Sequence, residues 1–166
     1  QKKGKTDLFR KIWNNDVDRS ETPCNQGLNT LGTLADRLTV LIIKGWNLKN
    51  KNNDPERSEI LFQTQIQEII NALSECKPGY SSYYSKIASD APKIMAEDWE
   101  DAYFRLLSVN LLLWETQEIL YLKDILELPA EELRAYIRWF SKGNLERNAL
   151  IEQAEIRFWD KVRQNS

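Results

Sequence analysis

The chain has 166 residues, formal net charge −2, 42% hydrophobic and 29% charged residues, and no histidine. That balance is that of one globular domain of ordinary size and excludes a disordered chain. No apolar run reaches the roughly 18 residues of a spanning helix. The absence of histidine removes the commonest general base and metal ligand, and the charge balance gives no case for general nucleic-acid binding.

Cys24 and Cys76 are the two cysteines. Two are too few for a disulfide scaffold or a four-ligand zinc site; the expectation is two free, partly buried thiols, with a single Cys24–Cys76 bridge as the alternative. The basic start Gln1-Lys2-Lys3-Gly4-Lys5 is followed by no apolar signal core, which makes a cytoplasmic location the expectation. Residues 1–166 read as one helical domain with 1–5 flexible.

Glycine and proline are scarce and sit mostly between apolar segments, which favours long helices over short strands. A short first helix is predicted over Thr6–Asn14, with Leu8, Phe9, Ile12 and Trp13 on one face, followed by a loop over Asn15–Gln26. A second helix spans about Leu28–Leu48, where Leu31, Leu34, Leu38, Leu41 and Leu48 keep helical spacing through the β-branched run Thr39–Ile43. Gly32 and Gly45 within it mark places where another helix comes close. Asn50–Pro55 is a stop and restart, with Asp54 as N-cap and Pro55 in the first turn of a third helix that runs to about Cys76. Tyr80–Ala96 is irregular. A fourth helix, about Glu97–Leu126, is apolar nearly all round from Leu106 to Trp114, which predicts a central position. Pro129 opens a fifth helix that ends at Phe140. Ser141-Lys142-Gly143 breaks the chain, and Asn144 caps a sixth helix running to about Val162.

No Gly-rich phosphate loop and no G-x-S-x-G elbow is present. Glu115 and Glu118, and again Glu152 and Glu155, stand at E-x-x-E. Residues three apart share a helix face, so two such pairs on facing helices could hold Mg²⁺ through oxygen ligands. In this the chain resembles the all-α nucleotide pyrophosphohydrolases, which pair E-x-x-E with E-x-x-D. The resemblance implies Mg²⁺ as cofactor, and otherwise none is expected. The alternative is solvated charge, or ion pairs with Arg147, Arg157 and Lys123.

Arg37 and Lys44, seven apart, share a face beside an apolar stripe, and Asn148 and Glu152 interrupt the stripe of the sixth helix. Buried polar groups need partners, which predicts either a cross-helix network of Arg37, Asn148 and Glu152 or a small anion pocket lined by Arg37, Lys44 and Arg147. The run Leu34-Ala-Asp-Arg-Leu-Thr-Val-Leu-Ile-Ile-Lys-Gly-Trp46-Asn47 resembles the early helix of a group of small all-α bacterial proteins of unknown function. Asn144-Leu-Glu-Arg-Asn-Ala-Leu-Ile-Glu152 resembles their late helix. The resemblance implies an all-α fold and puts forward Arg37, Lys44, Trp46, Asn144, Arg147 and Asn148 as ligand-binding candidates.

Tyr80, Tyr83 and Tyr84 are interleaved with Lys77, Lys86 and Lys93, a pattern that can stack bases or sugars, or simply pack over a core edge. Six tryptophans all fall in predicted helices, where core packing is the plain reading. Tyr136, Trp139 and Phe140 form an aromatic knob at i, i+3, i+4, suited to an interface anchor. The expected protein is therefore an all-α, single-domain bundle of five to six helices, with the fourth packed by the second, third and sixth. Its expected role is a non-enzymatic interaction module that associates with itself or a protein partner through this knob and the sixth helix. No membrane partner is expected and nucleic acid is not favoured. The alternative is a small-ligand-binding protein or an Mg²⁺-dependent pyrophosphohydrolase-like enzyme.

Overall fold

The computed structural model describes residues 29–76, 93–122 and 125–165. The helix expected over Thr6–Asn14, the loop after it, Cys24 and the Tyr80–Tyr84 stretch lie outside the described residues. Four helices and no strand occur among the described residues: α1 Leu31–Asn50, α2 Pro55–Leu73, α3 Trp99–Leu122 and α4 Ala130–Gln164.

Local chemistry explains where each helix begins. Thr30 and Thr33 form a reciprocal capping box at α1: the Thr33 N–H donates to Thr30 Oγ1 at 3.2 Å and the Thr30 N–H to Thr33 Oγ1 at 2.8 Å. The β-branched run stays helical, and the Thr39 hydroxyl donates back to the Asp36 carbonyl at 2.7 Å. Asn53, at φ 51, reverses the chain between α1 and α2, a conformation asparagine tolerates better than most residues. Asp54 then caps α2 by accepting from the Arg57 N–H at 2.9 Å, with Pro55 in the first turn as expected. Asp98 accepts from the Asp101 N–H at 2.8 Å at the start of α3.

The buried core lies where α1, α3 and α4 meet. Leu106 and Ala102 of α3 and Leu150 and Ala154 of α4 are almost wholly inaccessible, and Ala35, Ala96, Val109 and Leu113 complete the cluster. Alanines on all three helices let the axes approach closely, while each fully buried leucine contributes about 1.5–3 kcal/mol. α2 packs on α1 and buries only Ser58, whose hydroxyl donates to the Gly45 carbonyl at 2.9 Å.

Two expectations about architecture are corrected. The predicted fifth and sixth helices are one helix of 35 residues, unbroken at Gly143. A glycine costs about 1 kcal/mol relative to alanine in a helix, which tertiary packing readily offsets. Gly143 is buried, and a Cβ there would stand 2.9 Å from a Leu113 methyl, so its lack of a side chain admits α3. Asn144, expected as a cap, donates its amide to the Phe140 carbonyl at 2.8 Å inside the helix. The second correction concerns the centre: α1, not the fourth predicted helix, packs against every other helix, whereas α3 packs on α1 and α4. α3 also ends at Leu122 and is buried along one face only.

Gly32 and Gly45 do mark close approaches: an added Cβ would overlap the Ile151 carbonyl oxygen at the first and the Phe62 ring at the second. Gly32→Ala is therefore expected to lower stability by about 1–3 kcal/mol through overpacking. That loss opposes the roughly 1 kcal/mol by which alanine is the better helix former. Thermal unfolding followed by circular dichroism checks this; a raised melting temperature would refute the close crossing of α1 and α4.

Candidate functional site

The principal polar constellation inside the core joins α1, α3 and α4 through Asp36. Arg147 of α4 forks onto its carboxylate, Nε to Oδ1 at 2.8 Å and Nη2 to Oδ2 at 2.5 Å. Asn110 of α3 donates to Asp36 Oδ1 at 2.8 Å and to Thr39 Oγ1 at 2.7 Å. The carboxylate holds the Arg147 guanidinium above its ordinary pKa, by hydrogen bonding first and charge second, against the opposing effect of burial. Asp36, Thr39 and Asn110 are buried, so the donors and acceptors satisfy one another out of water.

A second buried carboxylate closes the other contact between α4 and α1. Glu155 is 2% exposed. Its Oε2 accepts the Gly32 N–H at 2.7 Å and its Oε1 accepts the Trp159 indole N–H at 2.7 Å. First-turn N–H groups of a helix lack intrahelical partners and carry the positive end of its dipole, so a carboxylate brought in from α4 is well placed. Cys76, a free half-buried thiol, lies nearby and points at the Asn29 carbonyl at 3.3 Å. Burial, then the charges of Glu155 and Glu75, push its pKa up.

A cavity of about 580 Å³ opens between the C-terminal half of α1, α2 and the second half of α3. Lys44 and Asn47 of α1, Arg57 of α2, and Trp114 and Glu118 of α3 form parts of its wall, with Ile60 and Leu61 as apolar surface. Glu118 accepts from Lys51 Nζ at 2.8 Å and from the Trp114 indole N–H at 2.9 Å. Those two bonds hold its carboxyl below the usual range. Asn47 is buried; its amide donates to the Ile43 carbonyl at 2.9 Å, and its Oδ1 has no partner among the described residues.

The sequence-derived candidates scatter over these places. Arg147 belongs to the Asp36 network and Lys44 to the cavity wall. Arg37, Asn148 and Glu152, expected to form the cross-helix network, are all exposed, as is Trp46 at 55%. Arg37 and Lys44 do share a face, and it is the solvent face; Asp36, one residue and about 100° round the helix, faces the core instead. Glu115, Glu118, Glu152 and Glu155 do not converge. Glu155 is anchored at the first turn of α1 and Glu118 just past its last, with the helix's length of about 30 Å between them. Among the described residues no group of three or more histidine, cysteine, aspartate or glutamate side chains could hold a metal.

The aromatic expectations are also redistributed. None of the five described tryptophans is fully buried. The ring cluster joins the ends of α3 and α4: Trp99 stacks on Tyr103 at 5.2 Å and meets Phe158 edge-on at 5.8 Å. The knob is divided, because Phe140 packs on the core and the Tyr136 hydroxyl donates to Glu132, while Trp139 is 38% exposed. Of the tyrosine–lysine stretch only Lys93 is described, and it is exposed. Asp36 and Asn110 were the residues missed. Each is a short polar side chain at a core-facing position of an apolar helical run, which is the signal of a buried group seeking a partner.

Asp36→Ala and Arg147→Ala are each expected to cost about 3 kcal/mol, the low end for a broken buried pair because Arg147 keeps 32% of its side-chain surface exposed. The double variant should cost little more than either single one. Additive losses in urea unfolding would show that the two side chains are not coupled. In a Cys24→Ser chain at about pH 8, iodoacetamide should modify Cys76 more slowly than glutathione, and denaturant should close the gap. Equal rates under native conditions would contradict the raised thiol pKa.

Comparison with protein-family models, with curated proteins and with solved structures finds no match to this chain.

Proposed function

We infer that this protein is a non-enzymatic helical interaction module that pairs with a second copy of itself through the outward face of α3. The observation that carries this reading is the two-sided apolar character of α3. Ala102, Leu106, Val109 and Leu113 fill the core, while Phe104, Leu111 and Leu122, at i, i+7 and i+18, stand on the opposite side and are 63%, 41% and 83% exposed. Leu112 and Tyr121 flank this stripe on either side, and Ile125 and Leu126, past the helix end, are also exposed. Ser108, Glu115 and Glu118 also stand on this face, so its apolar part is centred on Phe104, Leu111 and Leu112; exposed apolar residues gathered on one side of a small domain are characteristic of association sites. A helix face presented by two copies meets itself about a two-fold axis, the commonest way in which identical chains pair. No helix among the described residues is long and apolar enough to cross a membrane.

Tyr136 and Phe140 contribute less to such a surface than their spacing suggests, since one is held by Glu132 and the other by the core. Trp139 and Ile137 remain available on α4. The pyrophosphohydrolase-like alternative loses its support with the separation of the four glutamates, whereas a small-ligand role keeps a cavity to rest on.

Sedimentation velocity at tens of micromolar tests the module reading. The wild-type chain should sediment as a dimer, and Leu111→Glu, which places a charge at an exposed position of the stripe, should be monomeric with an unchanged helical spectrum. A monomeric wild type, or a dimer indifferent to Leu111→Glu, would defeat the proposal.

A further inference from the structure

We propose that the cavity between α1, α2 and α3 is a binding site for an aromatic or similarly apolar organic anion, held at its acidic group by Lys44 and Arg57. The site adjoins the α3 face at Glu118 and does not rest on self-association.

Three features of the cavity set the ligand's chemistry. Its volume of about 580 Å³ lies in the range of small-molecule sites, and its wall is mixed, with Leu48, Ile60, Leu61 and Trp114 beside polar groups. Second, Lys44 and Arg57 arrive from different helices and neither has an ion-pair partner among the described residues. Arg57 spends its backbone N–H on the Asp54 cap and leaves its guanidinium unengaged. Third, Asn47 is 7% exposed and carries a carbonyl oxygen without a hydrogen bond. A buried acceptor left open is costly; this oxygen is enclosed by protein, and a turn of its side chain towards the cavity would let a water bound with the ligand complete it.

The carboxylates on the wall do not oppose an anion at this end. Both oxygens of Glu118 are already engaged, by Lys51 and by the Trp114 indole, so its charge is compensated in place. Glu68 lies eleven residues along α2 from Arg57, about 16 Å by helical rise, at the far end of the cavity. The cationic end and the far acidic end thus give the site a polarity that would orient an asymmetric ligand, with its acidic group towards Arg57. The turn that positions Arg57 is itself well defined, by the left-handed Asn53, the Asp54 cap and the Asp54 N–H to Leu48 carbonyl bond at 2.9 Å.

Isothermal titration of the full chain with naphthalene-1-sulfonate, and with 1-naphthol as its uncharged counterpart, tests the site. The sulfonate should bind more tightly than the naphthol. Lys44→Gln and Arg57→Gln should each weaken the sulfonate by about threefold, the scale of a solvent-exposed charge contact. Both side chains are exposed, so neither change should alter the melting temperature by more than a degree or so. Leu111→Glu should leave sulfonate binding as it was, which separates this site from the apolar face of α3. The proposal is overturned by absence of sulfonate binding into the millimolar range, by equal affinity for the two compounds, or by affinity indifferent to both cation variants. Loss of binding in Leu111→Glu alone would place the probe on α3 and overturn it equally.

Discussion

The Asp36 carboxylate is the point on which the arrangement of the three core helices depends. It accepts both arms of the Arg147 fork from α4 and the Asn110 amide from α3, while standing in the middle of α1. Apolar burial alone would allow these helices to slide or rotate by a turn with little loss, because leucine and alanine faces are forgiving. A planar, two-pronged pair has one good geometry, and leaving it incomplete strands a charge in the core. The network therefore specifies register, while the Leu106–Leu150 core around it supplies most of the stabilisation.

Glu155 performs the matching task at the end of α1. By accepting the Gly32 N–H it completes a helix terminus that Thr30 and Thr33 cap only in part, and it does so from the partner helix. Gly32 makes the approach possible, since any side chain there would collide with the Ile151 carbonyl. Capping and close packing at this crossing are one feature: the missing Cβ brings α4 near enough for its carboxylate to reach the α1 amide.

With α1 committed to three neighbours, its two ends differ in character. The N-terminal end is held by Glu155, Cys76 and the core, and the C-terminal end borders the cavity. α3 in turn spends one face on the core and leaves an apolar face outside. Both functional proposals, association through α3 and anion binding beside α1, arise from surfaces that the three-helix core leaves over.

Much of the local architecture was legible in the residues. Helical periodicity placed α1, α2 and α3 to within a few residues but divided α4 at Gly143, and Asn50–Pro55 announced the α1–α2 turn because Asp and Pro have fixed preferences at a helix start. Gly32 and Gly45 were readable as crossing points, since glycine inside a long apolar helix needs a packing reason. The all-round apolar run of α3 was equally visible, but it was compatible with burial on all sides and with a half-buried helix that keeps a second face for a partner.

What remained for the tertiary structure to decide were matters of partnership across the chain. Periodicity says which side chains share a face and not which face meets a neighbour, so Arg37 rather than Asp36 stood out until α4 was packed against α1. The continuity of α4 through Gly143 depends on Leu113, thirty residues earlier, and the role of Glu155 depends on an amide 123 residues away. By itself the sequence determined the helical segments, the Asp54–Pro55 start of α2 and the apolar stripes, because those follow from interactions within a few residues. Only the tertiary structure decided which carboxylates are buried and paired, where the cavity opens and which apolar face is left exposed, because each of these is a property of contacts between distant segments.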